Sequence, residues 1–512
     1  MSLFRALAVL LVLGIACAAS SLSFLQSEGV TPRALAPYIL KRTSGHNELI
    51  EGAGRFTSSN LLRLDRGAGG PYVPPALTLG AQPQAAPALP GPQRLVASSE
   101  EAWRAIAGAV PGDVITLLPG EYALRATVYT RRAGTAGAPI IVRAAQPGTV
   151  RIDITTGEGF KVTAPYWQFE NLELRGTCRY QDSCDHAFHV VGSAHHFVAR
   201  NNTIRDFNAH FKINGERGAF PDHGLIEANT LGNARPRQTS HPVTPIDLVG
   251  ASDWHIRANL IHDFVKSGGN GVSYGAFAKG GAARTVFERN VVLCEAALAG
   301  QPGQRIGLSF GGGGTGKSYC RDRRCITEHD GGIMRANLVA GCSDVGIYLN
   351  SAANTLLVEN TLLDTAGVQV RFPTSGATLE GNLVDGPLRA DEGGVLRAGD
   401  NLVTPLWQLY LGWHRQRSLF VDAARLDLRW RDETPRYAAR EPHTDLCGTA
   451  RAPQRAYGAF DDMAPCLRHD GRHSTGMIEW EDPLQNKKNE RPYKQNQNAV
   501  RDTFDAKVSV LN

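Results

Sequence analysis

The chain has no dominant charge sign, no paired-cysteine metal motif and no run of apolar residues long enough for a comfortable membrane span. Its 54 Lys and Arg face 49 Asp and Glu, a net charge of +5. That balance permits an acidic polymer as ligand without demanding one. None of the nine cysteines stands in a Cys-x-x-Cys pair, which weakens a zinc reading. The apolar stretch at residues 7–15 is too short to span a bilayer. It follows Arg5 and precedes Ala16-Cys17-Ala18, the layout of a cleavable export signal. Gly14 stands three residues before Cys17, where a lipoprotein signal usually has Leu. The expectation is a signal peptide over 1–18 and a periplasmic or secreted protein, with an N-terminal membrane anchor as the alternative.

Helical spacing is also missing from the middle of the chain. In its place one phrase recurs, an apolar residue, a polar one, then Asn and an apolar pair. The asparagines are Asn171, Asn202, Asn229, Asn259, Asn290, Asn337, Asn360 and Asn382, separated by 31, 27, 30, 31, 47, 23 and 22 residues. Such a period, with short runs like Gly346-Ile347-Tyr348-Leu349-Asn350, predicts a solenoid of strands. Asn suits its corners in two ways: it tolerates the left-handed backbone region, and its amide can bond to the Asn one turn away. The predicted fold is all-β, a parallel β-helix over 93–404.

Before it, residues 19–92 divide into a mixed stretch and a Pro/Gly/Ala-rich stretch over 66–92 that reads as a linker. After it, residues 405–470, with Trp407, Trp413 and Trp430, read as a C-terminal cap, and 471–512 as a disordered tail. Without Cys17 the cysteine count is even, as disulfides in an exported chain require. Cys178 with Cys184, Cys320 with Cys325, Cys294 with Cys342, and Cys447 with Cys466 are the expected pairs, although spacing alone leaves the connectivity open.

Residues 98–107 read as a short capped helix, and Pro111-Gly112-Asp113-Val114-Ile115-Thr116-Leu117-Leu118-Pro119-Gly120-Glu121-Tyr122 follows it. With Gly137-Ala138-Pro139-Ile140-Ile141-Val142-Arg143-Ala144, this resembles the N-terminal cap and first turns of secreted right-handed β-helix proteins. It looks especially like polysaccharide lyases of the chondroitinase B and alginate lyase type. The resemblance implies a right-handed coil and an acidic polysaccharide as partner, with calcium as a possible cofactor. Lyases of this type carry a Lys and an Arg one turn apart and paired carboxylates for calcium. Here the turn after Lys212 offers Asp247 instead of Arg.

Stacked turns would bring His189, Lys212 and Asp247 into one outward column, continued by Ser273, Tyr348 and Gln369. A second outward line would hold Asn214, Asn350 and Arg371. Proton abstraction beside a uronate carboxylate needs a base and a group that neutralises the carboxylate. Lys212 is the expected base, His189 the second acid or base, and Asp247 the group that orients them. Asn214, Glu216, Arg217, Ser273, Lys279, Tyr348, Asn350 and Arg371 are the expected substrate-binding residues. No metal ligand set is expected, because His186, His189, His195 and His196 lack a well-placed third partner.

Residues 311–318 fit the phosphate-loop pattern, yet Tyr319-Cys320-Arg321 follows where a helix should begin. Neither nucleotide nor nucleic acid is therefore expected as partner. A glycoside hydrolase would want facing acids, and Asp461-Asp462 lies beyond the coil. The reading is a monomeric lyase or epimerase on an acidic polysaccharide, or alternatively a non-catalytic carbohydrate-binding or surface protein.

Overall fold

The computed structural model describes residues 20–67, 69–83, 93–312, 314–439 and 442–468. The expected signal peptide, part of the Pro-rich stretch and the C-terminal tail lie outside them. The chain is a right-handed parallel β-helix. Among the described residues, sheet 1 has twelve strands, sheet 2 eleven and sheet 3 ten. One turn runs from sheet 1 through a two-residue corner into sheet 2, then into sheet 3 and back, as in Val198–Arg200, Thr203–Arg205 and Ala209–Asn214.

The interior is a stack of like side chains. Phe160, Phe188 and Phe211 lie ring over ring at centroid distances of 5.4 and 5.3 Å. Helix α1 (Ser99–Ala107) plugs the first turn, its N-terminus capped by Ser98, whose side chain accepts from the Glu101 amide. Trp103 on this helix meets Phe160 edge-on at 5.9 Å. The unpaired edges of the coil's open end are thereby covered.

The asparagine ladder is continuous from Asn202 to Asn401. Asn259 is typical: its Oδ1 accepts from the Asn229 backbone and side-chain amides at 2.8 and 3.1 Å. Its Nδ2 donates to Ile226 O at 2.9 Å and to Asn290 Oδ1 at 3.0 Å. One buried amide thus makes four bonds in a place water does not reach.

The ladder residue does not adopt the left-handed conformation expected of it. That conformation falls one position earlier, on Asn201, Ala228, Ala258, Arg289, Ala336, Glu359 and Gly381. Asn171 is itself left-handed and aligns with Asn201, whose Nδ2 donates to it at 2.8 Å. Leu172 therefore takes the first ladder position and donates its backbone amide to Asn202 Oδ1.

From Val291–Leu293 onward to Leu383–Val384 the strands of sheet 2 are buried on both faces, which explains the apolar pairs after Asn290, Asn337 and Asn382. Its outer face (Val291, Leu293, Leu338, Leu363, Leu383) packs against Leu77, Leu79, Phe420, Leu428, Tyr437 and Phe460. The stretch over 72–82 is a strap along this flank. Thr78 N donates to Cys466 O and Gly80 N to Ala258 O. The C-terminal segment, expected against the last turns, also runs along the flank, reaching Arg289 through Leu446 O. Helices α2 (Pro32–Thr43) and α3 (Glu48–Arg66), which the mixed stretch did not reveal, form a hairpin against the later turns. Arg33 bonds Asp65, Asp364 and Cys342 O. All four expected disulfides are formed: Cys178–Cys184, Cys294–Cys342, Cys320–Cys325 and Cys447–Cys466.

Candidate functional site

Alternation within the strands of sheet 3 aims the candidate residues outward. Phe188, Val190, Phe211, Ile213, Ile246 and Leu248 are fully buried inside the coil, so His189, Lys212 and Asp247 between them face away from it. The register stacks Lys161 on His189, His189 on Lys212 and Lys212 on Asp247. The expected trio therefore does converge, with neighbours about 4.8 Å apart at strand spacing.

Each member has a specific partner. Lys212 Nζ donates to Asp247 Oδ2 at 2.9 Å. Asp247 is buried and its Oδ1 has no hydrogen-bond partner, so the ammonium is the group that compensates the buried charge. His189 Nδ1 lies 2.7 Å from Glu158 Oε1, and its Nε2 lies 2.9 Å from Asn214 Oδ1. Asn214 is oriented by donation from its Nδ2 to Gly215 O at 3.0 Å. Both neighbours offer acceptor oxygens, so a ring carrying both protons donates to both.

Sequence reasoning missed Glu158 and Lys161. The phrase Glu158-Gly159-Phe160-Lys161 repeats the pattern of His186-Ala187-Phe188-His189, and that likeness was the available signal. It also missed an adjoining cluster. Asp185 lies 3.5 Å from His186 and 3.3 Å from His241, and its Oδ1 accepts from Asn208. Burial holds the His186 imidazolium below its usual range, and Asp185 opposes that shift.

Beyond Asp247 the expected alignment fails by four residues. Asp247 pairs with Phe277, not Ser273, because Val272–Lys279 is an eight-residue strand joined to the column through its second half. Ser273 is buried and pairs with Arg305. A further strand, Gln304–Gly311, puts Ser309 between Phe277 and Tyr348. Tyr348 and Asn350 are buried, and Asn350 Nδ2 donates to Tyr348 Oη. Arg371 pairs with Glu392 at 2.6 Å.

The same shift brings Lys279 into line with Val249 and Asn214. Its ammonium sits 4.4 Å from the Phe277 ring centroid, a cation–π distance. Burial holds the Lys279 pKa below the usual lysine range, with Asp247 and Glu328 opposing the shift. Glu216 and Arg217 occupy the tight hairpin after Asn214, where Arg217 has a left-handed backbone.

The loop over 314–328 forms a wall. Arg321 bonds Asp222 at 2.7 and 2.9 Å and covers the Phe220 ring at 4.7 Å. Within it, Lys317–Tyr319 is one 3₁₀ turn leading into the Cys320–Cys325 disulfide.

No group of three or more His, Cys, Asp or Glu side chains converges as metal ligands among the described residues. Calcium requires six to eight oxygens, and the one carboxylate in the column is engaged by an ammonium. The donor set does not fit calcium.

No family model matches the chain, and no curated protein matches it. Several solved structures are similar. Pectate lyase Pel9A is 15% identical, with a TM-score of 0.49, covering 70% of this chain and 90% of that one. A PL6-family polysaccharide lyase from Pseudopedobacter saltans is 14% identical, with a TM-score of 0.32 over 61% and 92%. An alginate lyase from Paenibacillus sp. str. FPU-7 is 16% identical, again at 0.32, over 61% and 95%. At such identities the likeness is one of fold.

Proposed function

We propose that this chain is an exported enzyme that acts on an acidic, uronate-containing polysaccharide by proton abstraction, as a lyase or an epimerase. The observation that carries the reading is the stack of His189, Lys212 and Asp247, each held by a specific partner on the outward face of one sheet. In its neutral amine form, its own proton first given up, Lys212 is positioned by Asp247 and takes the proton from the carbon beside the uronate carboxylate. In a lyase the electron pair left behind forms a carbon–carbon double bond. The glycosidic C–O bond breaks, and the departing oxygen receives a proton from His189, which Glu158 and Asn214 orient. In an epimerase a proton from a second acid or from water is instead added to that carbon on the opposite face.

A second reading gives the abstraction to Lys279. Its ammonium has no carboxylate within ion-pair distance among the described residues, and burial favours the neutral amine that a base must be. Export rests on the residue pattern at 1–18; no helix among the described residues is long and apolar enough to cross a membrane.

The test is ultraviolet absorbance of an unsaturated uronate product, and NMR for inverted uronates, across alginate, polygalacturonate and glycosaminoglycans. Lys212→Ala is expected to lower turnover by about 10²–10⁴-fold. Equal loss in Lys279→Ala with Lys212→Ala active would move the base to Lys279. Binding without turnover of any of these polymers would favour a carbohydrate-binding protein instead.

A further inference from the structure

The outward face of sheet 3 is open at one end of the column and closed at the other. Along the register the Tyr129 residue is 41% exposed, and the side chains that follow are 22% at Lys161, 14% at His189 and 24% at Lys212. Beyond Lys212 the residues are 3% exposed at Asp247, 4% at Phe277, 0% at Ser309, and 7% at both Tyr348 and Gln369. The break lies between Lys212 and Asp247, at the proposed reaction centre.

Two structures close the far side. The first is an aromatic bank: Tyr274 meets Phe277 edge-on at 5.5 Å, and Tyr274 and Tyr348 pack with Ile306, Val345 and Ala366. The second is the N-terminal helical region, which roofs the last strands. Gly29 O accepts from Arg389, Gly29 is tight against the Arg389 side chain, and Tyr410 Oη donates to Val30 O. Gln369, Arg371 and Asp391 line the cavity of about 1000 Å³ beneath this roof.

The near side is built differently. Tyr129 pairs with Lys161 and lies three strands from Lys212, about 14 Å at strand spacing. Beside it a hollow of about 800 Å³ is lined by Trp103, Arg125, Tyr129 and Arg131. The Arg131 guanidinium lies over the Tyr129 ring at 5.2 Å. Arg125 and Arg131 are exposed, and neither forms an ion pair among the described residues. An exposed ring flanked by two cations and followed by Lys161 offers stacking for a sugar face and charge for its carboxylate.

We infer that the groove is one-ended, taking a terminal unit of an anionic polysaccharide at Lys212 against the Asp247–Phe277 wall while the chain extends over Lys161 and Tyr129 to Arg125 and Arg131. This rests on the proposed function for the chemistry at Lys212, but the geometry of binding is independent of it. The wall leaves no track for polymer to continue past the reaction centre, so action is at chain ends.

The experiment uses the full chain and oligomers of alginate and polygalacturonate carrying a bulky fluorophore at the reducing or the non-reducing end. Binding is expected to survive one label and to be lost with the other. Equal binding of both labelled forms overturns the inference, whether or not either is cleaved. With a polymer that is turned over, products are expected to be short from the first time point while mean polymer size falls slowly. A rapid early fall in mean size, from internal cuts, overturns it. Tyr129→Ala combined with Arg131→Ala is expected to raise KM severalfold more for long oligomers than for short ones. An equal rise for both lengths would remove these residues from the chain-holding role. Absence of turnover with end-selective binding would sink the proposed enzyme while leaving the one-ended groove in place.

Discussion

At the residue scale the buried histidines report most clearly on the fold. His210 and His329 are fully buried, and burial pushes each imidazolium down to about 3. His329 stacks on Phe310 at 4.1 Å, and neither of its ring nitrogens has a partner. A folded-state value below the unfolded value of about 6.5 means the contribution is complete above that pH and is lost as pH falls toward 3. Each group should add a slope of up to about 1.4 kcal/mol per pH unit in that window. His329→Phe is expected to raise the melting temperature at pH 4 far more than at pH 8; thermal melts at the two pH values check it. Equal effects at both would mean the ring is not held neutral.

The ladder gives a second residue-scale expectation. Asn259→Ala removes four bonds and strands the Asn229 amide in a dry interior. A loss of about 2–4 kcal/mol is expected by chemical denaturation, since unpaired buried groups cost about 1–3 kcal/mol each. Ala258→Ser, at the left-handed position beside it, should cost little by comparison. The repeated Asn was legible in the sequence because one chemical need recurs at each turn. Which of two adjacent residues bends was not legible: the bend residue lies outside the ladder and is Asn, Ala, Arg, Glu or Gly in different turns.

At the scale of elements, strand identity was readable and strand length was not. The runs at 188–190, 211–213 and 246–248 are uniform, and their register followed from aligning apolar positions. The strands Val272–Lys279 and Gln304–Gly311 have eight residues each, against six, six and four for the strands that carry those runs, so either half could be matched to the column. Small residues such as Gly275 and Gly307, packed against neighbouring backbone, hid their period. The N-terminal hairpin was hidden for another reason. Its docking relies on a charge network rather than an apolar stripe: Arg33 with Asp65 and Asp364, Arg66 with Glu295 and Asp364, and Arg417 with Asp364 and Asp385. Arg33→Ala leaves Asp65 buried without its cation and should cost about 3–5 kcal/mol of hairpin docking. Limited proteolysis is expected to cut between residues 44 and 72 in the variant and not in the parent. Matching cleavage patterns would show that the network does not hold the hairpin.

For the whole molecule, the coil turns distance along the chain into adjacency: Lys212 and Asp247 are 35 residues apart and share an ion pair. The stacking of His189, Lys212 and Asp247 was foreseeable because it needs only outward positions on three consecutive turns. The closed end was not, because it depends on the N-terminal helices returning to roof the last strands.

Deuterium incorporation reports on the central claim most directly. Uronate polymer would be incubated in heavy water with the parent protein, Lys212→Ala and Lys279→Ala, and the carbon beside the carboxylate followed by NMR and mass spectrometry. The account predicts that the parent yields deuterium at that carbon or its conversion to an unsaturated centre, and that Lys212→Ala yields neither. A polymer that binds yet emerges from the parent with that carbon unchanged would contradict it.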